Sequence, residues 1–319
     1  MKILSALITL LIMQTITAQT LPSIIKTNTA KDVIPEGITI NPTNGTIYVS
    51  SIALKKIIAI KQDGSHEDLI QSGQDGFLEG LGMKIDQKKQ WLWVVSNQKK
   101  GAMYVSCVHA FDLREKKVQQ QYSISDTAQH LFNDLIIHSN GKIYLTDTYG
   151  ASVYQVDPAK QQLSLFVKDT LITFPNGITF HPSGKVYIAT YSNGPVQLDL
   201  TSKKLTQLKG YSNNKIAYNL DGLVFWNNHI IGVHNGEETN KDNAIVQYSL
   251  DKNGEKIIGE KIIDKGNQYF HSPTTATVLR QKLYVLANSY LREYNVNEES
   301  AKGIDDKLGS VMVLVYQLK

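Results

Sequence analysis

The sequence predicts an all-β fold, a six-bladed β-propeller with four-stranded blades whose ring is closed by an N-terminal strand joining the last blade. Three observations carry this expectation. A pattern of inner strand, Gly-containing or polar turn and second strand occurs six times, beginning near Ile34, Phe77, Leu131, Phe174, Asn219 and His271. Lining up one position per motif gives Glu36, Glu79, Asn133, Asn176, Asp221 and Thr274, at intervals of 43, 54, 43, 45 and 53 residues. A period of roughly 40 to 50 residues is that of a propeller blade. No segment sustains apolar residues at helical spacing, which leaves strands as the building element.

The blades follow in order. Ile34–Ser50 (IPEGITINPTNGTIYVS) reads as the first hairpin, and Lys56–Gln62 and Glu67–Gln71 supply the outer strands of blade one. Blade two begins at FLEGLGMKIDQKKQWLWVVSN, where Trp91 and Trp93 read as core between blades. Blade three begins at LFNDLIIHSNGKIYLTDT and continues through Val153–Asp157 and Leu163–Lys168, whose alternating side chains suit strands with one face buried. Blades four, five and six begin at FPNGITFHPSGKVYIATY, NLDGLVFWNNHIIGVHN and HSPTTATVLRQKLYVLANS. The sixth carries a polar insert, Asn295–Leu308, before its last apolar strand at Val311–Leu318, and is one strand short. Ser23–Lys26 is predicted to supply the missing strand and close the ring, because a propeller must pair its first and last edges. Tyr48, Tyr144, Tyr187 and Tyr284 hold one place in four blades, which accounts for part of the excess of 16 Tyr over 8 Phe.

Ahead of the repeats, Lys2 precedes an apolar run, Ile3–Met13, and small residues approach a cleavage point after Ala18. This is the pattern of a secretory signal peptide over 1–18, leaving 19–319 as a single domain in the periplasm or outside the cell. The run is too short for the ~20 residues of a membrane span, so none is expected in the mature chain. Cys107 is the single cysteine, which excludes an intramolecular disulfide and a structural Cys-based zinc site. A net charge of +4 from scattered lysines gives no basic stripe for nucleic acid. No phosphate-binding glycine loop, serine nucleophile elbow or metalloprotease helix motif is present.

The six aligned positions are expected to face the central channel at one depth, and each carries an oxygen. Water alone can account for a polar channel. Carboxylates and amides converging from different blades also make a hard-oxygen ligand set, suited to calcium first and magnesium second.

The tripeptides Pro35-Glu36-Gly37, Phe132-Asn133-Asp134, Pro175-Asn176-Gly177 and Leu220-Asp221-Gly222, in register with the repeat, resemble those of the regucalcin/gluconolactonase superfamily of six-bladed calcium-dependent propellers. Diisopropylfluorophosphatase-like and paraoxonase-like hydrolases are relatives within it. The resemblance implies Ca2+ held by Glu36, Asn133, Asn176 and Asp221, and hydrolysis of a small lactone, ester or organophosphate-like substrate. It offers Asp221 as ligand and general base together, or as ligand alone. Glu79 reads as base, further ligand, substrate contact or solvated channel carboxylate.

His234, in Ile230–Asn235, resembles the paraoxonase segment that carries a functional histidine, and a wall residue is the other reading. Two departures stand out. Glu79 occupies the place of a paraoxonase dyad histidine, and Leu131 stands where regucalcin-like enzymes carry a substrate-binding arginine. His130 and His271 are further candidates for the funnel rim, and Asp147 for an acceptor orienting a ring amide. The alternative to an enzyme is a non-catalytic propeller that binds a ligand or protein, with a structural calcium or no metal.

Overall fold

The computed structural model describes residues 21–210, 219–235, 240–296 and 307–319. The expected signal peptide and most of the polar insert after Asn295 lie outside the described residues.

Strands fall into six four-stranded antiparallel sheets. The inner strands are Pro35–Ile40, Glu79–Asp86, Phe132–Ile137, Pro175–Phe180, Leu220–Trp226 and Ala276–Leu279. In the first five blades the chain runs outward through consecutive strands. The sixth combines Ala276–Leu279, Lys282–Leu286 and Met312–Gln317 with Ser23–Lys26, which pairs antiparallel with the last strand from Ser23↔Val315 to Lys26↔Met312. The ring therefore closes through the N-terminal strand, as the missing edge required.

Apolar side chains fill the wedges between neighbouring blades. Trp93, Val95 and Val108 of blade two pack with Phe132, Leu135 and Leu145 of blade three, and Trp93 also stacks on Tyr122 at 6.3 Å. Burying one such side chain stabilises the fold by about 1.5–3 kcal/mol. The repeated tyrosines lie in the same wedges, and two have the polar tip satisfied by a hydrogen bond: Tyr187 donates to the Gly254 carbonyl at 2.8 Å, and Tyr144 accepts from Asn140 at 3.0 Å. Cys107 is buried, and burial pushes its thiol up to about 11, so it behaves as an apolar strand residue.

Five inner strands share one irregularity. Their pairing with the second strand shifts register between Pro35 and Ile38, Gly80 and Met83, Phe132 and Leu135, Pro175 and Ile178, and Leu220 and Leu223. Such a bulge re-aims the residue it releases, here Glu36, Leu81, Asn133, Asn176 and Asp221. Blade two thus presents Leu81 at the ring position, and the expectation for Glu79 is corrected. Glu79 lies two residues earlier, still paired with Asn97. Hydrogen bonds to the ring carbonyls agree. Ser50 Oγ donates to Leu81 O at 2.7 Å, Thr146 Oγ1 to Asn176 O at 2.5 Å and Thr274 Oγ1 to Glu36 O at 2.8 Å.

The glycine after the ring residue has a steric cause. A Cβ on Gly37 would lie 2.1 Å from Leu81 O, because the next inner strand presses against it.

Candidate metal and active site

A cavity of about 890 Å³ reaches the four implied ligands. Glu36, Asn133, Asn176 and Asp221 are only 3–6% exposed, whereas Phe174 and Tyr149 on the same wall are about half exposed. The cavity is thus a funnel with its polar set at depth. Ile52, Leu81 and Leu131 also line it.

In blades three, four and five the residue just beyond the second strand supports the ring. In blade three, Thr148 Oγ1 accepts from Asn133 Nδ2 at 3.1 Å and donates to Pro175 O at 2.7 Å. That bond fixes which way the Asn133 amide faces, with Nδ2 turned to Thr148. In blades four and five, the Tyr191 hydroxyl and the Asn235 amide both donate to Asp221 Oδ2, the former at 3.1 Å. Asp221 Oδ1 is buried and makes no hydrogen bond of acceptable geometry among the described residues, although the Asn176 side chain is near enough to pull on the carboxylate. A buried carboxylate oxygen without a donor is costly unless a cation meets it.

Burial pushes Asp221 up to about 7, against the pull of Asn235, Tyr191 and Asn176. Glu36 is held well above the usual carboxylate range by burial first, then by Asp221 and Asp134. Beside them Lys84 Nζ pairs with Asp134 at 3.1 Å. With Glu36, Asp134 and Asp221 ionised, one ammonium leaves two negative charges uncompensated, the charge a divalent cation supplies. Among the described residues no three His, Cys, Asp or Glu side chains converge as a ligand group. The set combines two carboxylates with two amides, a donor chemistry that fits a hard, oxygen-preferring cation.

The remaining candidates separate. Glu79 is in the cavity wall, half-buried, with Lys55 Nζ 3.9 Å away. Thr274 is fully buried, its hydroxyl spent on the Glu36 carbonyl. His234 does not line the cavity. It is 2% exposed and its Nε2 lies 2.9 Å from the Tyr248 hydroxyl, so the metal-adjacent role implied by resemblance has no geometry here. Successive strand residues face opposite sides, and the residue aimed at the site is its neighbour Asn235. His271 stacks on Tyr290 at 5.0 Å, away from the cavity wall. Asp147 orients no ring amide; it accepts from the Leu131 and Gly150 amides and meets His130 Nδ1 at 2.6 Å. Tyr191 and Asn235 were not foreseen from sequence.

The fold and the funnel together define a six-bladed propeller with an oxygen-rich site at the channel. Residues 34–223 match the family described as SMP-30/Gluconolactonase/LRE-like region, and the chain belongs to that family. No curated protein is significantly similar to it in sequence. A luciferin-regenerating enzyme superposes with a TM-score of 0.64 at 11% identity, covering 93% of this chain and 96% of its own. A gluconolactonase from Xanthomonas campestris gives 0.59 at 13% identity, with 93% and 95% covered. Virginiamycin B lyase from Staphylococcus aureus gives 0.53 at 12% identity, with 83% and 81% covered. These likenesses are of fold, and the fold hosts more than one chemistry.

Proposed function

We propose that the protein is an exported calcium-dependent hydrolase of a small lactone, ester or organophosphate-like substrate. The buried Asp221 Oδ1, left without a hydrogen bond at the foot of an open funnel, is the observation that carries this reading. Family membership supports it, as does the gluconolactonase among the structural neighbours. Export rests on the charged and apolar start of the chain, Lys2 followed by Ile3–Met13.

Glu36, Asn133, Asn176 and Asp221 would hold the cation, which when bound polarises the carbonyl or phosphoryl oxygen of the substrate. Tyr191 and Asn235 keep Asp221 in one orientation, and Thr148 does the same for Asn133. Leu131, Phe174 and Ile52 shape an apolar wall, which suits a substrate with an apolar substituent better than a bare sugar acid. A funnel with apolar walls and titratable groups favours catalysis over a purely structural ion.

A panel of lactones and aryl esters, assayed on the mature chain with and without chelator, tests this reading. Chelation, Asp221→Ala and Asn176→Ala are each expected to abolish turnover. Activity indifferent to all three would refute a metal-dependent mechanism.

A further inference from the structure

The geometry points to His130, held by Asp147, as the proton-transfer group of the funnel; this rests on the hydrolase reading and adds a residue to it. His130 lines the same cavity as the four implied ligands and stands three positions before Asn133. Its Nδ1 meets Asp147 Oδ2 at 2.6 Å. Asp147 is completely buried at the end of the second strand of blade three, where its Oδ1 accepts from the amides of Leu131 at 2.9 Å and Gly150 at 3.2 Å. Ser152 Oγ lies 3.4 Å from Oδ2. A carboxylate so surrounded by donors takes the proton-bearing face of the imidazole. The tautomer then has hydrogen on Nδ1 and a lone pair on Nε2.

The ring is also braced. Its centroid lies 6.0 Å from that of Tyr154, nearly edge-on, and Asp126 Oδ1, a half-exposed rim carboxylate 3.5 Å from Nε2, is placed to stabilise the imidazolium once Nε2 has taken a proton, not to hold the neutral ring. Buried orienting carboxylate, fixed imidazole and open cavity follow one another, which is the order a general base requires.

In the reaction, Nε2 takes a proton from water as the water oxygen bonds to the substrate carbonyl carbon. The carbon–oxygen bond of the lactone or ester then breaks, and the same proton passes to the departing alkoxide. The products are a carboxylic acid and an alcohol, joined in one hydroxy acid when the substrate is a lactone, and His130 returns to its starting state.

The test uses the mature chain with calcium and the best substrate of the panel. His130→Gln is expected to lower kcat by about 10²–10⁴-fold with KM little changed. Free imidazole is expected to restore part of the rate to His130→Ala, an effect that a merely structural role would not produce. Asp147→Asn should lower kcat as well, and circular dichroism melting of the His130 variants separates loss of function from loss of fold. Wild-type turnover that survives His130→Gln overturns the dyad and leaves the hydrolase reading intact. Absence of turnover by the wild-type chain on every substrate overturns both.

Discussion

The Tyr191 hydroxyl donates to Asp221 Oδ2 at 3.1 Å, and the Asn235 amide donates to the same oxygen. Two blades thereby fix one side of a carboxylate carried by the fifth blade's inner strand. Tyr191 stays a donor because burial first, and Asp221 second, hold its hydroxyl well above the ordinary tyrosine value. Supporting groups of this kind typically change metal affinity by about 10–100-fold. Tyr191→Phe is therefore expected to weaken calcium binding by that factor while the fold persists. Calorimetric titration reads the change, and an unaltered dissociation constant would remove Tyr191 from the site's support.

Glu36 and Asp221 are clustered, buried carboxylates, so the cation-free protein should be strained by its own site. Both have folded-state values raised above those of the unfolded chain, Asp221 to about 7. The folded state then binds protons more tightly than the unfolded one, and cation-free stability should fall as pH rises from about 4 through about 7. Glu36→Gln removes one of the two charges. At pH 8 in chelator it is expected to melt above wild type, while losing the calcium-induced rise in Tm. In wild type, calcium at a hundredfold excess over its dissociation constant should add about 2.7 kcal/mol. A Glu36→Gln variant that melts lower in chelator, or still responds to calcium, contradicts this account.

His109 gives a pH dependence of opposite sign, far from the funnel. It is fully buried against Phe77 and Phe111, with ring centroids 5.8 and 5.4 Å apart. Burial pushes the imidazole down to about 4, outweighing the nearby Asp75. Below about 6.5 the unfolded chain gains a proton that the folded chain refuses, so stability present above that pH is lost as pH falls toward 4. The loss is on the order of 3 kcal/mol. His109→Phe should flatten this part of the curve in denaturant titrations between pH 4 and 7. An unchanged slope would mean that other groups control acid unfolding.

Much of this was legible from the chain because a propeller writes its symmetry into the sequence. Glu36, Asn176 and Asp221 are each followed by Gly at a repeating place, Asn133 by Asp134 at the same place, and the backbone contact at Gly37 shows why the glycine recurs. Blade two misled for the same reason. Its Leu78-Glu79-Gly80-Leu81-Gly82 places a glycine after both Glu79 and Leu81, and only the bulge between Gly80 and Met83 decides between two frames one pleat apart. The supporting residues Thr148, Tyr191 and Asn235 share a location just beyond a second strand but no residue type, so no pattern marks them. The His130–Asp147 pair needed the register Phe132↔Asp147, which brings together residues far apart in sequence.

The N-terminal strand offers a last test, because it closes the ring. Ile25 packs with Val33, Ile38 and Val313 in the wedge between the sixth and first blades, and Ile24 packs against the cluster shared by blades five and six. Thr27 Oγ1 donates to Val311 O at 2.9 Å, anchoring the strand's end. A chain beginning at Gln19 keeps all of these and should melt with the full fold. A chain beginning at Thr27 loses the burial of Ile25, worth about 1.5–3 kcal/mol, and the partial burial of Ile24, together with a four-residue ladder. It also uncovers Met312–Gln317, an apolar strand whose free backbone groups would pair with another copy. The shorter chain is expected to melt several degrees lower and to associate in size-exclusion chromatography with light scattering. Unchanged melting and a monomeric profile would mean that five complete blades and a three-stranded sixth suffice to hold the ring.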